Sequence, residues 1–152
     1  MPARRVPFEY VQFRVHVHAT EDPRKVRKAL REVAGEVKVQ SRTYHGYYGN
    51  RIVVMTAELR KRAEIDAFFR RMAEAGILEE LLPEVPERVD EEGVFHFRLD
   101  KQLAYRGRLV LADHDDVVSV RAKVVVYPKG RERAIRAAEE YFRSLLESRP
   151  SR

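Results

Sequence analysis

The run Arg98-Leu99-Asp100-Lys101-Gln102-Leu103-Ala104-Tyr105-Arg106-Gly107 holds the densest chemistry in the chain. It leaves an alternating strand, Phe95, Phe97 and Leu99 against His96, Arg98 and Asp100, and then gathers Lys101, Gln102, Tyr105, Arg106 and Arg108 around a glycine. Cations, an amide and an aromatic ring side by side supply phosphate ligands, hydrogen-bond donors and a stacking plane, which are what a nucleic-acid backbone and its bases engage. The plainer reading is a hairpin connection whose polar residues face water. The loop Tyr44-His45-Gly46-Tyr47-Tyr48-Gly49-Asn50-Arg51 is a second concentration. Its glycines admit close approach of another chain, its tyrosines offer stacking planes, and His45, Asn50 and Arg51 offer hydrogen bonds. There too a hairpin accounts for Gly and Asn, and tyrosines folded back over the core are the competing picture.

Catalytic and metal chemistry has weaker carriers. His16 and His18 leave one strand face at metal-compatible spacing, and Asp113-His114-Asp115-Asp116 is dense in oxygen ligands. A two-metal nuclease would want clustered carboxylates of this kind, but the two groups are far apart in sequence and a polar turn explains the second. P-loop, dinucleotide and nucleophile-elbow motifs are absent, and the lack of Cys removes thiolate sites and disulfides. The chain reads as a non-enzyme with no catalytic residue, metal or cofactor; a metal-dependent hydrolase is the third-ranked alternative.

These residues need positioning. Val11, Phe13, Val15 and Val17 alternate with Gln12, Arg14, His16 and His18, predicting a strand with one buried face. Thr20 or Asp22 then caps a helix with Pro23 in its first turn, Val26, Leu30 and Val33 on its inner stripe and Gly35 at its end. Val37 and Val39 begin a second strand, and a third runs from Arg51 to Leu59. Ile65, Phe68, Phe69 and Met72 mark another helix, stopped near Gly76. An apolar turn, Ile77 to Leu82, precedes an acidic connector bounded by Pro83 and Pro86. Strands follow at Val94–Leu99, Arg108–Leu111 and, longest of all, Val117–Tyr127. A last helix carries Ile135, Ala138, Tyr141, Phe142 and Leu145 on one side. The pattern predicts an α+β fold with helices packed on one face of a mostly antiparallel sheet, as a single domain over 1–152 with loose ends at 1–7 and 148–152.

If helices cover the face bearing Phe13, Val15, Phe97, Val118 and Val124, the other face carries Arg14, His16, His18, Lys38, Arg42, His96, Arg98, Arg121 and Lys123, with Tyr10, Tyr44 and Tyr127 interleaved. Such a face neutralises phosphates and stacks unpaired bases. A solvated sheet face, or one that pairs with a second subunit, is the rival. Charge points the same way. Net charge is +6, yet residues 79–92 hold seven acids against one base, so the rest of the chain carries +12. Arg, the better phosphate and stacking residue, outnumbers Lys by 23 to 7. An ion-paired thermophile surface would share the high charge and the missing Cys. No apolar run approaches the ~20 residues that span a bilayer, and the basic start lacks the apolar stretch of a signal peptide. A cytoplasmic location without membrane contact is expected.

Three segments resemble one archaeal family, described as predicted RNA-binding proteins or exosome subunits. Arg98 to Gly107 is similar to its "RLDKQ-x-AY-x-G" signature, His18-Ala19-Thr20-Glu21-Asp22 to its "HATED" junction, and Gly46-Tyr47-Tyr48-Gly49-Asn50 to its "GH-x-GN" loop. Asp115-Asp116 and Tyr127-Pro128 with Arg131 also fall in place. Tyr47 stands where the family usually has His, and Arg51 where it usually has Pro. The resemblance implies a fold similar to the ribosomal protein that binds 5S rRNA, with RNA and exosome components as partners.

The expected RNA contacts are Arg14, Lys38, Arg42, His45, Tyr48, Asn50, Arg51, Arg98, Lys101, Gln102, Arg106, Arg108, Arg121 and Lys123. In the rival reading the sheet face makes a homodimeric scaffold that binds no RNA. Lys101→Ala with Arg108→Ala is expected to weaken binding and leave the fold intact.

Overall fold

Ten residues of alternation form β1 (Phe8–Val17): Val11, Phe13, Val15 and Val17 are buried, while Arg14 and His16 face solvent. In the computed structural model, which describes residues 5–149, this strand lies at the middle of a five-stranded antiparallel sheet of order β2-β3-β1-β5-β4. The other strands are β2 (Gln40–His45), β3 (Arg51–Leu59), β4 (Val94–Asp100) and β5 (Val117–Val124). The helices are α1 (Pro23–Ala34), α2 (Arg62–Glu74), α3 (Ile77–Leu81), α4 (Val85–Arg88), α5 (Lys101–Tyr105) and α6 (Arg131–Glu147), with a 3₁₀ turn at Leu82–Glu84. The α+β expectation holds.

Local assignments differ in five places, the first being β2, which begins at Gln40 and leaves Val37 and Val39, expected to open it, outside the strand. The run from Lys101 to Tyr105 is a short helix rather than part of a hairpin, because Asp100 caps it by accepting from the Leu103 amide at 2.9 Å. The expected strand at 108–111 is reduced to one bridge, Leu99 to Leu111. The stretch 77–88 is helical, since Pro83 and Pro86 each sit in a first turn, where a missing amide hydrogen costs nothing. The final strand stops at Val124, so β1 is the longest.

The chain divides into two compact units, and neither is a continuous stretch. Among the described residues, the first comprises 5–11, 59–96 and 121–149. Phe8 stacks on Phe69 with ring centroids 4.7 Å apart, and Phe142 lies 5.2 Å from Phe69 and 5.3 Å from Phe95. Helix α6 supplies Ala134, Ile135, Ala138, Tyr141, Phe142 and Leu145 to this core, at helical spacing. The Tyr141 hydroxyl donates to Asp66 Oδ1 at 2.6 Å, and Arg70 Nε donates to the other oxygen of Asp66, also at 2.6 Å. Burial first, and then Asp66, push the Tyr141 hydroxyl far above its ordinary pKa, so it remains a donor. Of the ends expected to be loose, Pro7 accepts from the Val125 amide at 2.8 Å and Arg149 reaches Glu79. Residues 1–4 and 150–152 lie outside the described residues.

The second unit comprises residues 12–58 and 97–120. Asp22 caps α1 by accepting from the Arg24 amide at 2.9 Å. Val26, Ala29, Leu30, Val33 and Ala34 form the buried side of that helix. Helix α5 lies against α1, where Lys28 Nζ donates to the Tyr105 carbonyl at 2.7 Å and sits 4.9 Å from the Tyr105 ring centroid. At the sheet edge, β2 pairs antiparallel with β3 from Gln40↔Thr56 to His45↔Arg51, and all six of its residues are exposed.

Candidate nucleic-acid interface

Lys101 takes no part in an outer surface. It is 2% exposed, and its ammonium reaches Glu21 Oε1 at 2.7 Å, Asp116 Oδ1 at 2.7 Å and the His16 carbonyl at 3.0 Å. Two hydrogen bonds, one ion pair and burial close this ammonium to a phosphate. The contact to Asp116 Oδ1, an atom shielded from solvent, is a charge contact whose geometry is not that of a directed hydrogen bond. Gln102 closes the arrangement from above, donating to Asp116 Oδ2 at 3.0 Å and Glu21 Oε2 at 3.3 Å. The expectation that Lys101 contacts RNA is therefore corrected: removing it would strand two carboxylates and unsettle the fold. Gln102 is exposed, but its amide hydrogens are already engaged.

The cluster also joins motifs that lie apart in sequence. Glu21 comes from the junction after β1, Lys101 and Gln102 from the start of α5, and Asp116 from the turn before β5. Burial pushes the pKa values of Glu21 and Asp116 up, but Lys101, aided by Gln102 and by the His18 amide on Glu21, holds both below the usual carboxylate range. His114 accepts from the Asp116 amide through Nδ1 at 3.1 Å, which leaves Nε2 protonated and donating to Asp100 Oδ2 at 3.0 Å. Of the metal candidates, His18 and Asp116 approach Glu21 closely enough for their ligand atoms to lie within 4.8 Å of one another. The Lys101 ammonium already occupies the position a cation would take, so the group is explained as a salt-bridge cluster. Asp113 and Asp115 stay outside it.

The open face of the second unit is defined by a side-chain bond. Gln12 Nε2 donates to Glu58 Oε1 at 2.9 Å, which puts the even-numbered residues of β1 and β3 on one side. The β2–β3 register adds Arg42 opposite Val54 and Tyr44 opposite Ile52 to that side. Arg14, His16, Arg42 and Tyr44 are thus exposed on a common face, with Lys38 exposed just before β2. Burial, then Arg14, His18 and Lys101, lower the His16 pKa and so favour its neutral ring.

The hairpin beyond β2 carries the most exposed rings. Gly46 donates to the Asn50 carbonyl at 2.7 Å and Gly49 to the Gly46 carbonyl at 2.9 Å, the latter glycine at φ 77°. A Cβ at Gly46 would run into the Asn50 amide, so that amide packs over the loop's own backbone. Tyr47 and Tyr48 are 95% and 91% exposed, with centroids 5.1 Å apart in an edge-on pair. They have not folded back. His45, Tyr48, Asn50 and Arg51 are exposed around the same tip. Tyr47, omitted from the sequence-based contacts, is the more open of the two rings; its place between two glycines was the available signal.

The remaining expected contacts are divided. Arg106 and Arg108 are exposed after α5, whereas Arg98 is half-buried and donates to the His114 carbonyl at 3.3 Å. Arg121 and Lys123 belong to the first unit, where Arg121 is exposed and the Lys123 ammonium contacts the Glu92 carbonyl.

An α+β protein with a cation-bearing open face and two tyrosines at a hairpin tip has the makings of a nucleic-acid-contacting protein. Comparison with known proteins agrees. The chain belongs to a family described as RNA binding, whose model matches residues 10–124. It is 34% identical over 143 residues to an RNA-binding protein of Pyrococcus abyssi, covering 87% of this chain and 92% of that one. A crystal structure of a DUF54-family protein from Archaeglobus fulgidus superposes with a TM-score of 0.80 at 35% identity, over 88% of this chain and 99% of that one. A DUF54 protein from Methanothermobacter thermautotrophicus gives 0.77 at 30% identity, over 89% and 98%. No helix among the described residues is long and apolar enough to cross a membrane.

Proposed function

We propose that this chain binds RNA through the open sheet face and hairpin of its second unit and acts in RNA processing. Arg14, Lys38, Arg42 and Arg51 neutralise phosphates, and Tyr47 and Tyr48 stack on unpaired bases. His45 and Asn50 form the polar rim, and Arg106 and Arg108, exposed after α5, add positive charge to the same unit. Arg98 contributes charge, restrained by the carbonyl it contacts; on the first unit, Arg121 is an exposed cation and Lys123 is held by the Glu92 carbonyl. The observation that carries this reading is the pair of fully open tyrosines on a loop flanked by His45 and Arg51. Burying such rings against bases removes apolar surface that the folded chain leaves open to solvent. The resemblance of the three sequence motifs to predicted exosome subunits supports the RNA exosome as the complex it joins, in the cytoplasm.

Titration of a labelled single-stranded RNA tests the reading. Tyr47→Ala with Tyr48→Ala should weaken binding by about 30-fold or more, since base–aromatic stacking contributes ~1–3 kcal/mol per base and two rings are lost. Thermal stability should not change, because neither ring is buried. Equal affinity in the variant and the parent chain would refute the stacking role, and no binding by the parent chain at low salt would refute the function. A second reading, a homodimeric scaffold, is favoured by the exposed β2 edge, where another copy could add a strand. Light scattering at working concentration separates the two.

A further inference from the structure

Helix α1 differs from the other long helices in the sign of its charge. It carries Arg24, Lys25, Arg27, Lys28 and Arg31 against one acid, Glu32. Helix α2 has Arg62, Arg70 and Arg71 against Glu64, Asp66 and Glu74, and α6 has four cations against four acids. An ion-paired thermophile surface explains the two balanced helices; it does not explain α1. At 3.6 residues per turn the five cations fall within an arc of about 160°, opposite the buried side of α1, and the row from Arg24 to Arg31 is about 10 Å long. Arg24 is held by Asp22 at 3.2 Å and Lys28 by Glu32 at 3.3 Å. Among the described residues, Lys25, Arg27 and Arg31 have no carboxylate at ion-pair distance, although Asp22 feels the Lys25 charge from farther off. Helix α5, packed against α1, is followed by Arg106 and Arg108, both exposed.

We propose that this face of α1, continued by Arg106 and Arg108, is a second RNA contact that grips the phosphate backbone of a duplex. It rests on the reading that the chain binds RNA, and it assigns structured RNA as part of the substrate. The chemistry selects backbone over bases. The aromatic ring here, Tyr105, has Lys25 and Lys28 Nζ 5.7 and 4.9 Å from its centroid and is only half exposed, so it offers no open stacking plane. What is left is a straight row of cations on a rigid element. Such a row suits an A-form duplex, which proteins recognise by shape and phosphate contacts, and it leaves unpaired bases to the hairpin tyrosines.

The test compares a duplex of about 20 base pairs with one of its strands alone, each titrated at several salt concentrations. Lys25→Ala with Arg27→Ala and Arg31→Ala keeps good helix formers on an exposed face. The expected result is a loss of about tenfold or more in duplex affinity, and a salt slope flatter by about 2 to 3, at ~0.7–0.9 for each lost phosphate contact. Single-strand affinity should stay within about twofold of the parent's. Arg27→Lys with Arg31→Lys keeps the charge and should keep duplex binding. Unchanged duplex affinity in the triple variant, with single-strand binding still lost in Tyr47→Ala/Tyr48→Ala, would overturn this inference and leave the RNA reading standing. Equal losses on duplex and single strand would overturn the duplex assignment. A parent chain that binds neither RNA would overturn both.

Discussion

In the unit containing α6, buried rings do most of the holding: Phe8, Phe69, Phe95, Tyr141 and Phe142 pack in pairs with centroids between 4.7 and 6.0 Å. The unit containing α1 buries Phe13, Val15, Leu30 and Phe97, but it also buries an ammonium between two carboxylates and a carbonyl. The two solutions stabilise differently. Ring packing contributes through area and dispersion and is indifferent to pH. A buried ion cluster adds little net free energy compared with an apolar replacement, yet breaking it from one side is costly, and its contribution depends on protonation. What it adds is geometric: Lys101 fixes the β1–α1 junction, the start of α5 and the turn before β5 relative to one another.

The sharpest way to break this comparison is a pair of variants. Phe142→Ala and Lys101→Met should each cost about 3–5 kcal/mol at pH 7, the first by leaving a cavity and the second by stranding Glu21 and Asp116. Urea unfolding measures both. Their pH dependence should then separate them. Glu21 and Asp116 have folded pKa values below the unfolded ones, so their contribution is complete above the ordinary carboxylate values of 4.5 and 3.8. It is lost as pH falls through the depressed folded values. The gap between Lys101→Met and the parent chain should therefore narrow on acidification below about pH 4.5, and the Phe142→Ala gap should stay level. Parallel gaps would show that the cluster acts as packing alone. A smaller effect is expected at the polar contact of the aromatic unit: Tyr141→Phe should cost about 1–2 kcal/mol, because Asp66 keeps Arg70 when the hydroxyl is lost.

Much of the scaffold was legible in the sequence, for reasons the comparison makes clear. Alternation in β1 and β4 and the helical stripes of α1, α2 and α6 reflect one-sided burial, which leaves a periodic trace. Helix α5 has five residues, too few for a period to show, and α3 and α4 lie beside prolines that read as breakers until their first-turn positions are known. The open face was legible by parity, as Arg14, Arg42 and Tyr44 show. The burial of Lys101 was not. A lysine next to Gln102 and Tyr105 looks like a phosphate ligand unless Glu21 and Asp116, 80 and 15 positions away in the chain, are known to meet it. The hint lay in three motifs matching one family together. The charge bias of α1 was also plain in the sequence, but only its contrast with α2 and α6, once their boundaries were fixed, gave it meaning.

The burial of Lys101 has a chemical consequence. An ammonium held by two hydrogen bonds and an ion pair, and out of solvent, does not attack an acylating reagent. Of the seven lysines in the chain, this one should escape labelling for as long as its unit stays closed. Mass mapping of its modification against time would then clock the opening of that half of the molecule, without any engineered probe.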